Sequence, residues 1–124
     1  MLKSSAQKSS RRSACPVACT LDLLGDRWTL LVIRDLVTGK SRYGEFLESP
    51  EGIPTNILAE RLKRLESAGI ITRNTYQENP PRYAYTLSPR GEELKSVLGA
   101  VAQWGTRHIA HVKAHPILAS YLNR

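Results

Sequence analysis

The stretch GIPTNILAERLKRLESAGIITRNTYQENPPRYAYTLSPRG, residues 52–91, decides how this chain folds. Leu58, Leu62 and Leu65 recur at i, i+4 and i+7, the spacing that lines one face of an α-helix. Asn56, Glu60 and Lys63 fall roughly opposite, flanked by Ala59 and Arg64. Pro54 opens the helix, and Gly69 supplies the residue expected just past its end. Two strand patterns follow, Ile70 to Tyr76 and Tyr83 to Leu87. In the second, Tyr83, Tyr85 and Leu87 alternate with Ala84, Thr86 and Ser88. Between them Gln77 to Arg82 reads as a turn too long for a tight hairpin, stiffened by two prolines and basic at Arg82.

Working outward, Met1 to Ala14 is polar, rich in Ser, Lys and Arg, and aperiodic. It reads as a disordered basic tail (1–14), leaving 15–124 as one folded domain. Pro16 suits a first helical position, and Val17, Leu21 and Leu24 keep helical spacing until Gly25. Asp26 caps a second helix, Trp28 to Val37, ended by Thr38-Gly39. Ser41 caps a short third helix carrying Tyr43, Phe46 and Leu47, and Pro50-Glu51-Gly52 is a turn. After the strands, Ser88-Pro89 opens a long last helix carrying Leu94, Val97, Leu98, Val101, Ala102, Trp104 and Ile109. Pro116 breaks the pattern before a short tail helix. The expected class is mainly α (α+β): a winged helix-turn-helix extended by N- and C-terminal helices.

At 124 residues the chain holds a modest core, and small domains of this kind often bury further surface by pairing. Eighteen Lys and Arg against eleven Asp and Glu give +7, which suits a polyanionic partner. Lys3, Lys8, Arg11 and Arg12 belong to the tail, however, so the domain itself carries only +3. No apolar run approaches the roughly 20 residues of a membrane span; Leu30 to Ile33 is cut short by Arg34. The N-terminus lacks the apolar segment of a signal peptide. Two cysteines make no disulfide framework, so reduced thiols in the cytoplasm are expected. An enzyme reading finds no Gly-rich phosphate loop, nucleophile elbow or H-E-x-x-H.

An α-helix fits the DNA major groove, where short polar side chains near its N-terminus reach base edges. Thr55, Asn56, Ala59 and Glu60 hold those positions, with Lys63 and Arg64 further along for phosphates. Asn56 is the sharpest of these, because an Asn amide bonds adenine in two places. A merely solvated helix face would look the same in isolation; the hairpin behind it tips the balance. A stiff basic loop beside a groove-reading helix contacts backbone or minor groove, with Arg82 as its cation unless that residue is only solubilising. Lys40, Ser41, Arg42 and Arg73 are candidate backbone contacts. The alternative is a winged helix used for protein or RNA contact, without sequence-specific DNA binding.

Cys15 immediately precedes a helix start with Arg11 and Arg12 nearby, which favours its thiolate. Cys19, one turn on, is a candidate resolving thiol; otherwise the two are small buried apolar residues. His108, His111 and His115 lie at i, i+3 and i+7. Histidines at such a C-terminal turn more often follow surface and dipole preference than metal, and no metal or cofactor is expected.

With these pieces placed, the chain closely resembles the HxlR-type transcription regulators, relatives of the MarR winged-helix group. The matching segments are Cys15-Pro16, LLGDRWTLLVIRDLVTGK (23–40) with Gly25 and Trp28, and SRYGEFL (41–47). To these add residues 52–70, NPPRYAYTLSPRG (79–91) and Trp104-Gly105, covering about Cys15 to Ile109. The resemblance implies a homodimer held by the first and last helices, with Val17, Leu21, Leu98, Val101 and Trp104 as the pairing residues. It implies a pseudo-palindromic double-stranded operator, repression as the default, a small-molecule or electrophile inducer, and redox or electrophile sensing at Cys15, with Cys19 as its companion. The apolar excess on the last helix agrees with pairing. One departure stands out: such regulators usually begin this helix with a small capping residue and then Lys or Arg, where this chain has Pro54-Thr55-Asn56.

Overall fold

The computed structural model describes residues 13–121. Among them run α1 (Pro16–Leu24), α2 (Thr29–Val37), α3 (Tyr43–Leu47), α4 (Thr55–Ser67), β1 (Ile71–Glu78), β2 (Pro81–Leu87), α5 (Pro89–Glu92), α6 (Lys95–His108) and α7 (Pro116–Ala119). This is a winged helix-turn-helix, mainly α with one antiparallel hairpin. The expected tail, residues 1–14, lies almost wholly outside the described residues, as do Arg11 and Arg12.

The leucines of α4 behave as their spacing predicts. Leu58, Leu62 and Leu65 are buried with Val32 and Ile33 of α2, Phe46 of α3, Ile71 of β1 and Leu98 of α6. Burying such a side chain fully contributes about 1.5–3 kcal/mol. The helix ends in a Schellman turn: Gly69 at φ 77° lets its own N–H reach the Glu66 carbonyl and the Ile70 N–H reach that of Leu65.

Four expectations need correction. The cap position of α3 is Arg42 rather than Ser41, and the Glu45 carboxylate accepts both the Ser41 and Arg42 N–H groups at 2.8 and 2.9 Å. The hairpin is longer and its turn tighter than the prolines suggested. Pairing continues past an irregularity between Thr75 and Gln77 to Glu78 opposite Pro81, leaving Asn79 and Pro80 as the loop. A proline is tolerated as the first residue of a strand, where no ladder donor is needed.

The expected long last helix is two helices. Ser88 caps α5 by accepting the Gly91 N–H at 3.1 Å, while its own hydroxyl donates to the Gly69 carbonyl at 2.6 Å. Gly91 is buried so closely that a Cβ there would sit 2.1 Å from the Ile70 carbonyl oxygen and 2.9 Å from Leu87 Cδ2. The chain turns at Glu93 and Leu94 through i→i−3 bonds before α6 begins. Finally, Leu98 faces the core at 5% exposure, so it is no pairing residue; Val101 and Trp104 on the same helix are 54% and 61% exposed.

One carboxylate fixes α4 against α2, although the cap position of α2 is Trp28 rather than the expected Asp26. Asp26 Oδ1 accepts the backbone N–H of Trp28 at 2.8 Å and of Thr29 at 3.0 Å, and Oδ2 accepts the Thr29 hydroxyl at 2.5 Å. The same carboxylate takes Arg61 Nε at 3.0 Å and an Arg64 guanidinium nitrogen at 2.8 Å. Partial burial alone would raise the Asp26 pKa. The Thr29, Trp28 and Arg61 hydrogen bonds outweigh it and hold the carboxyl well below its ordinary range.

A carboxylate depressed in the folded state stabilises above its unfolded pKa and loses that contribution as pH falls through the folded value. Asp26→Ala should therefore cost about 1–3 kcal/mol at pH 7, through the lost cap and the two guanidinium groups left without their partner. Urea unfolding should show this deficit shrinking progressively below about pH 4. An equal deficit at pH 7 and in strong acid would remove the carboxylate charge from this role.

Candidate nucleic-acid interface

With its leucines inward, α4 turns Thr55, Asn56, Ala59, Glu60 and Lys63 to solvent along one exposed face. Three of these, Thr55, Asn56 and Ala59, crowd the N-terminal half, where the backbone N–H groups also point outward. The start of the helix is held from below, since the Tyr43 hydroxyl donates to the Thr55 carbonyl at 2.5 Å. Glu60 accepts from Arg61, whose guanidinium also reaches Asp26.

Arg64 does not share that face. Its guanidinium is bonded to Asp26 and to the Thr29 hydroxyl at 2.9 Å, because position 64 rotates round the helix towards α2. The structure thus assigns Arg64 to the scaffold, where the sequence placed it among phosphate contacts. Arg61, which the sequence reading passed over, belongs to the same clamp. The two lie three residues apart and so share one helix side, yet nothing in that spacing names a partner 35 residues upstream.

The hairpin stands beside α4 with Arg82 exposed next to its tip, paired in register with Gln77. Arg42 is joined to β2 by a bridge to Ala84, and the Tyr85 N–H donates to the Ser41 carbonyl at 2.8 Å. The Arg42 guanidinium lies over the Tyr76 ring at 4.1 Å, and that of Arg73 over Tyr83 at 4.3 Å. Stacking leaves the guanidinium edge free to donate while the ring restricts its motion. Arg73 also sits 3.8 Å from Glu66, a loose and exposed pair. Lys40 is more committed: its ammonium donates to Ser49 Oγ at 2.7 Å, and that hydroxyl donates on to the buried Asp35 at 2.6 Å.

Away from this surface, Cys15 occupies the cap position of α1 and is exposed, while Cys19 is half-buried. The Ala18 and then the Val17 N–H groups stabilise the Cys15 thiolate and lower its pKa. Cys19 Sγ donates to the Ser13 carbonyl at 3.2 Å. Val17 and Leu21 on α1 are 66% and 52% exposed. Of the histidines, His108 packs its ring 4.9 Å from that of Trp104, and His115 caps α7. Among the described residues no group of three or more His, Cys, Asp or Glu side chains is placed to hold a metal. No helix among them is long and apolar enough to cross a membrane.

Comparison with known proteins agrees with this geometry. The HxlR-like helix-turn-helix family profile matches residues 23–113. The chain is 42% identical over 92 residues to the "uncharacterized HTH-type transcriptional regulator sll1512" of Synechocystis sp., covering 74% of this chain and 68% of that protein. Among solved structures it is similar to the reduced form of the transcriptional regulator YodB from Bacillus subtilis. That match has a TM-score of 0.65 and 33% identity, and covers 82% of this chain and all of the other. It is also similar to the redox regulator HypR in its reduced form, with a TM-score of 0.69 and 31% identity over 77% of this chain and 96% of that one. The domain built around α4 and the hairpin thus belongs to the HxlR family of helix-turn-helix transcriptional regulators.

Proposed function

We propose that this regulator is a sequence-specific double-stranded DNA-binding repressor, working in the cytoplasm as a homodimer on a pseudo-palindromic operator. The observation that carries the reading is the exposed face of α4, with Thr55, Asn56, Ala59, Glu60 and Lys63 outward, beside a hairpin bearing Arg82. Thr55, Asn56, Ala59 and Glu60 read base edges in the major groove, and Lys63 contacts phosphate. Arg82, Arg42 and Arg73 hold the backbone on the hairpin side, with Lys40 and Ser41 at its margin. With the tail set aside, the domain's small positive charge concentrates the electrostatic term on these few cations.

Pairing uses Val17, Leu21, Val101 and Trp104, whose exposure in one protomer leaves a large apolar surface in water. Two recognition helices related by a two-fold axis then meet half-sites about one helical turn apart. Cys15 is the sensor: its exposed thiolate, favoured by two N–H groups at the start of α1, adds to the activated carbon–carbon double bond of an electrophilic inducer, sulfur bonding to one carbon while the π pair takes a proton from water at the other. That group lies on the proposed pairing helix, so the adduct disturbs the dimer and releases DNA.

Binding to an operator obtained by in vitro selection should fall steeply with salt and survive competitor DNA. Asn56→Ala should cost about 1–3 kcal/mol on that operator and relax one base position, with little change on random DNA. Arg82→Ala should weaken all sequences evenly and reduce the salt slope by about 1. Absence of sequence preference at every salt concentration would leave a winged helix for protein or RNA contact.

Trp104→Glu should shift sedimentation from dimer to monomer while far-UV circular dichroism stays unchanged, a loss of about 2 kcal/mol or more in association. A variant that still sediments as a dimer would move the interface elsewhere. Cys15→Ser should bind the operator normally but no longer release it on treatment with N-ethylmaleimide. Release from the serine variant would take Cys15 out of the switch.

A further inference from the structure

Beyond the DNA surface and the pairing face lies a cleft of about 340 Å³ between α6 and the segment leading into α7. It is lined by Ala102, Gln103, Thr106 and Arg107 on one side and by Ala114, His115 and Ala119 on the other. The volume is at the lower end of the range that small-molecule sites occupy, about 300–1,000 Å³. On α6, Ala102 and Thr106 turn away from the exposed Val97, Val101 and Trp104, while Gln103 and Arg107 flank that apolar face, Arg107 one turn on from Trp104.

The chemistry of the lining is one-sided. Among the described residues that line it there is no carboxylate, and Arg107 and Gln103 offer N–H donors. Among the described residues neither the Arg107 guanidinium nor the Gln103 amide has a hydrogen-bond partner. His115 Nδ1 accepts the Leu118 N–H at 3.4 Å, which leaves Nε2 to carry the ring hydrogen and act as a donor. The Thr106 hydroxyl spends its hydrogen on the Ala102 carbonyl at 2.8 Å. Three alanines supply the apolar wall, and their small side chains make the room.

We infer that this cleft binds a small organic carboxylate. Its anionic head pairs with Arg107, assisted by Gln103 and His115, and its apolar body lies against Ala102, Ala114 and Ala119. A guanidinium presents a planar pair of donors that matches a carboxylate edge, which favours this head group over a neutral amide. The segment carrying Ala114, His115 and α7 forms one wall, and α7 is anchored by the buried Leu118 and Tyr121. A bound carboxylate therefore ties the C-terminal segment to α6. The site stands on the protein alone, whether or not the chain reads DNA.

The test is titration of the full-length protein, without DNA, with benzoate and hexanoate, and with benzamide as the uncharged control. Binding is followed by amide chemical shifts and calorimetry. At least one carboxylate should bind and shift Gln103, Thr106, Arg107 and His115, with benzamide at least about tenfold weaker. Arg107→Ala should weaken the carboxylate by about tenfold or more, since it removes a charge-assisted pair from an exposed residue that the fold does not need. Ala119→Leu should abolish binding by filling the cleft while α7 stays docked. The inference is overturned if neither carboxylate binds, if benzamide binds equally well, or if both variants leave the affinity unchanged.

Discussion

Everything the exposed face of α4 offers depends on a single carboxylate. Asp26 closes the start of α2 through the Trp28 and Thr29 N–H groups and reaches across to Arg61 and Arg64. The reading of base edges proposed for α4 requires its rotation and depth to be fixed to within about 0.5 Å. Leucine packing sets the depth of α4, yet apolar contact is non-directional and leaves rotation loosely defined. Two guanidinium groups on one side of the helix, bonded to an oxygen pair already committed to a helix cap, supply the missing direction. Both partners keep part of their solvent, which limits the cost of burying charge, while Arg64 Nε is buried with no hydrogen-bond partner among the described residues.

The clamp also redistributes charge. Two of the three cations on α4 are spent on Asp26 and Glu60, leaving Lys63 as the cation on the outward face. The hairpin compensates. Arg42 on Tyr76 and Arg73 on Tyr83 are held by ring faces, which restrain the side chain without using up its donors. A surface with few cations, each held in place, favours defined contacts over diffuse attraction to any polyanion.

A second polar network does comparable service behind the interface. Arg34 joins Glu51 through two 2.8 Å bonds and Asp35 through two more at 2.8 and 3.1 Å, while Asp35 accepts from Ser49, which in turn accepts from Lys40. It ties the end of α2 to the turn before α4, so both ends of that turn are fixed.

The periodic parts of this protein are determined by sequence alone. The leucines of α4, the glycine that ends it, the alternation of β2 and the Asp26 bonds at the start of α2 each act within a few residues, where local geometry dictates the outcome. The family segments follow from the same residues in the same order. Tertiary structure decided what depends on neighbours distant along the chain. Arg64 read as an outward cation until Asp26, 38 residues upstream, turned it inward. Leu98 read as a pairing residue because helical spacing cannot tell a face covered by its own chain from one covered by another. The single helix after Ser88 became two, with i→i−3 turns at Glu93 and Leu94, and Gly91 in α5 presses against Ile70, a contact that no local pattern records. Local rules specify elements; which side of an element meets solvent is settled only when the rest of the chain packs against it.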